Sequence, residues 1–109
     1  MTSEIKFNVT LDENKLPEAI NWQAGDSEMP SVNPCKAIML SIWDHADKST
    51  LRIDLWTKDM PLDDMKRFFY ESFMTMADTY ERASSDEDAA KTIRDLAKDF
   101  GHKVDLLKK

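Results

Sequence analysis

Glycine is almost missing from this sequence: Gly25 and Gly101 are the only two. A Gly-rich loop that cradles phosphates cannot be assembled from them, so the usual nucleotide-binding loops are excluded. Cysteine is rarer still. Cys35 stands alone, which rules out an intramolecular disulfide and fits a reducing compartment. Histidine occurs only as His45 and His102, too few for a histidine-built metal centre. Basic charge is in deficit, with 15 Lys and Arg against 21 Asp and Glu and a net charge of −6. That balance argues against a nucleic acid or an anionic membrane surface as partner. No apolar run approaches the roughly 18 residues of a membrane span. Met1-Thr2-Ser3-Glu4 lacks the basic, apolar and small-residue regions of a secretory signal. The expectation is a cytoplasmic protein with no direct membrane insertion.

What is present is ordinary for a folded domain: 41% apolar and 33% charged residues over 109 positions, enough for one core without staples. One domain over residues 1–109 is expected. Ile5 to Leu11 alternates apolar and polar side chains without a break, a strand with Ile5, Phe7, Val9 and Leu11 on one face. The turn-rich segment 12–17 then allows Ala19 to Ala24 to return, with Ile20 and Trp22 inward. Residues 25–34 carry two of the four prolines and read as a loop. Lys36 to Trp43 is apolar on both faces and reads as a central strand, though periodicity alone does not separate it from a short helix. Leu51, Ile53 and Leu55 alternate with Arg52, Asp54 and Trp56 to complete a second hairpin.

After residue 61 the apolar period changes from two to about 3.6. Leu62, Met65, Phe68, Phe69, Phe73, Met76, Ala77 and Tyr80 make one stripe, and Ala89, Ala90, Ile93, Leu96, Ala97, Phe100, Val104 and Leu107 make another. Asp59 before Met60-Pro61 reads as the N-cap of the first helix, with Asp63 and Asp64 suited to its dipole. Ser84 with Glu87 reads as a capping box for the second. Gly101 is a place where that helix frays or ends. The remaining helical charges, among them Glu71, Glu81, Arg82, Lys91, Arg94, Asp95 and Lys98, read as a solvated face. Four strands followed by two helices predict an α+β fold, a two-layer sandwich in which a four-stranded antiparallel meander carries both C-terminal helices on one sheet face.

Few residues offer chemistry. Asp44, His45 and Asp47 resemble a ligand set, but aspartates between strands are turn formers first. Cys35 needs a neighbouring histidine or another group that lowers its pKa to act as a nucleophile, and the sequence does not place His45 or His102 beside it. The more informative feature is strand parity. If Ile38, Leu40, Ile42, Leu51, Ile53 and Leu55 face the helices, Met39, Trp43, Arg52, Asp54 and Trp56 look the other way. Aromatic and methionine anchors beside an arginine are what protein interfaces favour, and this set is the candidate partner-binding face.

The segments Leu11 to Trp22, Lys36 to Asp44, Leu51 to Lys66 and Met76 to Tyr80 resemble, in order and spacing over nearly the whole chain, the gliding-motility GldC family of Bacteroidetes. The run Leu51-Arg52-Ile53-Asp54-Leu55-Trp56-Thr57-Lys58-Asp59-Met60-Pro61-Leu62-Asp63-Asp64-Met65-Lys66 is its most specific part. The resemblance implies a small cytoplasmic accessory protein of the gliding machinery, without enzymatic activity, cofactor or catalytic residues. Expected partners are another protein of that machinery or a second copy of the chain. The alternative is a small-ligand binding protein or hydrolase with a pocket between helices and sheet, using Asp44, His45, Asp47 or Cys35.

Overall fold

The computed structural model describes residues 1–25 and 32–108, and the chain forms two compact units, Met1–Met60 and Pro61–Lys109. The α+β class holds, with every strand in the first unit and both helices in the second. The first unit contains β1 (Ile5–Leu11), β2 (Pro17–Ala24), β3 (Asn33–Cys35), β4 (Ala37–Trp43) and β5 (Thr50–Trp56). Among the described residues five strands replace the expected four, and they form two antiparallel sheets ordered β1-β2-β3 and β4-β5. The additional strand lies in the expected loop, where Asn33, Pro34 and Cys35 pair with Trp22, Asn21 and Ile20. Residues 26–31 of that loop lie outside the described residues. A bend at Lys36 separates β3 from β4, so the expected third strand keeps its place as β4 while the end of the expected loop joins the other sheet.

Each hairpin turn is organised by an aspartate, as short acidic loops favour. Asp12 Oδ1 accepts from the backbone N–H groups of Asn14 (2.8 Å) and Leu16 (3.0 Å). Asp44 Oδ2 accepts from Asp47 N–H at 2.8 Å. Both loops place a lysine in the left-handed region, Lys15 at φ 63° and Lys48 at φ 51°.

The two sheets meet where β5 ends. Lys58 N–H donates to the Pro17 carbonyl at 3.1 Å, and Thr57 N–H to the Lys36 carbonyl at 2.8 Å. Lys58 Nζ pairs with Asp12 Oδ2 at 3.0 Å, which ties the end of β5 to the first hairpin turn. Asp59 contributes here instead of capping a helix. It accepts from Thr57 Oγ1 at 2.6 Å and from Lys36 Nζ at 2.8 Å. Thr57 is buried, and its hydroxyl is satisfied by that carboxylate, as a buried donor requires. Ile20 is the one large side chain fully buried among the described residues, 1% exposed.

In the second unit, α1 (Leu62–Ser84) and α2 (Glu87–Lys103) form a helical hairpin. Pro61 precedes α1 and no side chain among the described residues caps it, so Asp63 and Asp64 serve the first turn through the dipole, with Asp63 also pairing with Lys66 at 3.8 Å. The expected Ser84–Glu87 capping box does not form. Ser84 Oγ donates to the Tyr80 carbonyl within α1, and Asp86 is the N-cap of α2, accepting from Ala89 N–H at 3.0 Å. The link between the helices turns at Ser85, φ 59°.

Small residues define where the helices approach: Ala77 of α1 and Ala90, Ala97 and Gly101 of α2 are buried. Phe73 and Phe100 stack edge to face across the hairpin with centroids 5.5 Å apart. Gly101 does not end α2. After Lys103 the chain turns through Asp105, φ 65°, and both Leu106 and Leu107 donate N–H to the Gly101 carbonyl. A Cβ at 101 would meet Leu107 Cδ1 at 2.8 Å and Tyr70 Cδ1 at 3.0 Å, so the glycine makes room for the returning tail. Val104 and Leu107 therefore lie beyond the helix that their spacing suggested. Arg94, expected in the solvated face, instead bridges the helices through Asp78 (2.8 Å) and Glu81 (2.9 Å).

Candidate functional site

In β4 and β5, Ala37 pairs with Trp56, Met39 with Asp54, Ser41 with Arg52 and Trp43 with Thr50. Paired residues of an antiparallel ladder share a face, so Met39, Trp43, Arg52, Asp54 and Trp56 lie together as their alternation implied. Ile38, Leu40, Ile42, Leu51, Ile53 and Leu55 share the other face. The two indoles stand well into solvent, Trp43 at 68% and Trp56 at 56% exposure, while Met39 is half-buried. Burial does not set the second face sharply apart, since Ile42, Leu51 and Ile53 are about half exposed. The faces differ in chemistry: one is aliphatic throughout, the other mixes indoles with an ionic network.

That network holds Arg52 in one posture. Its Nη2 donates to Asp54 Oδ1 at 2.9 Å and its Nε to Asp54 Oδ2 at 3.2 Å, a two-pronged pairing along one strand. Its Nη1 donates to Ser41 Oγ across the ladder at 2.8 Å. The hydrogen bond to Asp54, followed by the carboxylate's charge, raises the guanidinium pKa above its ordinary value. Three of five donors are thus engaged within the hairpin, and an incoming phosphate would have to compete with Asp54 for the fork. Strand parity located Arg52, Asp54 and the indoles. Ser41 falls on this face by the same parity, but its role as the arginine's cross-strand acceptor has no signal in the sequence.

Beside Trp56 lies a shallow cavity of about 270 Å³ lined by Leu16, Pro17, Asp54, Leu55, Trp56 and Lys58. It is apolar at its base and bordered by one charge of each sign, a shape for a side chain more than for a whole ligand.

The other sequence candidates do not assemble into a reactive group. Asp44 and Asp47 are joined in the turn of the second hairpin, with His45 exposed between them. Cys35 in β3 lines a separate hollow of about 300 Å³ with Ile20, Asn21, Lys36, Thr57 and Asp59. Burial pushes its thiol pKa up, the reverse of what a thiolate nucleophile needs. The His102 Nδ1 lies 3.2 Å from the Leu107 carbonyl. Among the described residues no three His, Cys, Asp or Glu side chains are grouped to hold a metal ion, and no helix is long and apolar enough to cross a membrane.

The family model for gliding motility-associated GldC-like proteins matches residues 17–106, from the start of β2 to the tail beyond α2. The chain belongs to the GldC-like family. That match spans both hairpin faces, the junction at Thr57 to Asp59 and the whole helical unit, so the family assignment covers the candidate site. No curated protein and no solved structure matches the chain.

Proposed function

We propose that this GldC-like chain is a non-enzymatic, cytoplasmic accessory protein of bacterial gliding motility, and that it docks a partner protein of the gliding machinery on the face formed by Met39, Trp43, Arg52, Asp54 and Trp56. The observation that carries the reading is the pair of exposed indoles flanking an arginine already held by Asp54 and Ser41. Large amphipathic rings on a rigid ladder supply contact area at little entropic cost, and a pre-ordered arginine loses less freedom on binding. A protein surface suits this chemistry better than a polyanion does, because Arg52 is internally neutralised and the chain is acidic.

Replacing Trp43 and Trp56 together with glutamine tests it. Co-purification of gliding-machinery proteins from a gliding bacterium should fall at least about tenfold, as loss of a hot-spot pair implies. The circular dichroism spectrum of the variant should match the parent. Undiminished co-purification would remove the docking face. A small-ligand or hydrolytic role has less behind it: the cavity beside Trp56 is smaller than most ligand sites, and the Cys35 thiol is shifted away from reactivity.

A further inference from the structure

We propose that the chain pairs with a second copy of itself along the free edge of β4, antiparallel about a two-fold axis perpendicular to the sheet that runs midway between the Leu40 residues of the two copies. Among the described residues β4 is paired only with β5, so one row of its backbone N–H and C=O groups has no strand beside it. Exposed edges invite pairing with another chain, and proteins blunt them with charge, proline, shortness or bulges.

The other edges here carry such devices. β1 has Lys6 and a register shift at Thr10/Leu11, β3 is three residues long with Pro34 at its centre, and β5 carries Arg52 and Asp54. β4 carries none. It is seven residues, Ala37–Trp43, without charge or proline, and its pairing with β5 runs without a shift.

A second copy is the occupant whose side chains fit. With the two Leu40 residues facing each other across the axis, Ala37 meets Trp43 of the other copy, Ile38 meets Ile42, and Met39 meets Ser41. The bulkiest side chain falls opposite the smallest, and the β-branched pair sits on the aliphatic face, the cross-strand arrangement that stabilises ladders. An acidic chain repels its own copy over most surfaces, whereas this element brings no charge to the contact. Because Ala37 already neighbours Trp56, the pairing sets Trp43 of the second copy and Trp56 of the first on either side of Ala37. The inference is independent of the docking face: a dimer that binds no gliding protein leaves it standing.

A single seven-residue ladder buries less than the roughly 1,200–2,000 Å² of a stable interface, so the dimer should be weak and concentration dependent. Sedimentation of the full chain from about 1 to 300 μM should show conversion from monomer to dimer. Leu40→Lys places like charges opposite each other at the axis and should weaken association at least about tenfold. Leu40→Cys in a Cys35→Ser background should form a disulfide-linked dimer under mild oxidation, and Ile53→Cys on β5 should not. If Leu40→Lys fails to fold, the cysteine trap decides alone. A chain monomeric over the whole range overturns the proposal, as does a dimer that Leu40→Lys leaves intact, or trapping equal at positions 40 and 53.

Discussion

The strand-bearing unit and the helical hairpin are held together in opposite ways. In the helices the buried positions are alanines and a glycine, so the elements meet by close backbone approach with phenylalanines filling alongside. In the strands one large side chain, Ile20, is fully buried among the described residues, and the junction of the two sheets is hydrogen-bonded and ionic. The difference teaches which changes each unit should tolerate. One should suffer when volume is removed, the other when volume is added.

Ile20→Ala should show the largest effect, a loss of about 2–5 kcal/mol in chemical denaturation, because it empties the site that Val9 and Cys35 flank in the ladder. A cost below about 1 kcal/mol would break the contrast. Gly101→Val should destabilise the helical hairpin by about 1–3 kcal/mol through overpacking against Leu107 and Tyr70, despite valine's better helix propensity. A more stable variant would show that the tail yields freely. Asp86→Ala removes the N-cap of α2 and should cost about 1 kcal/mol, read as a lower thermal midpoint.

The smallest expected effect is a pH dependence that sharpens the comparison. Backbone donation from Leu16, followed by the bond from Lys58, holds the Asp12 carboxyl below its ordinary 3.8. Lys36 and then Thr57 do the same for Asp59. A depressed carboxyl stabilises the fold above its unfolded pKa, and that stability is lost as pH falls through the folded value. The strand unit should therefore loosen below about pH 3.8, modestly because most of these groups are solvated. Asp12→Asn with Asp59→Asn should flatten the stability profile there, and an unchanged slope would assign it to other carboxylates.

Much of the architecture was legible in the chain. Unbroken alternation placed β1 at Ile5–Leu11, and the change of period placed the start of α1 at Leu62. Parity grouped Trp43, Arg52, Asp54 and Trp56 on one face of the second hairpin. Errors collected at ends and joins. Asp59 preceded a proline as a cap would, yet its carboxylate was drawn to Lys36, 23 residues away. Ser84 sat at capping-box spacing, but its hydroxyl satisfied the end of its own helix first.

By itself the sequence determined strand parity, helical stripes and family, because side-chain direction repeats with the backbone's own period and needs no distant partner. Only the tertiary structure decided that residues 33–35 of the expected loop add a strand to the first sheet, that Lys58 reaches Asp12 across 46 residues, and that Gly101 shelters Leu107. Those outcomes depend on where the chain path returns. That path is set by which hydrogen bonds and close contacts can be satisfied together, and local spacing carries no record of the choice.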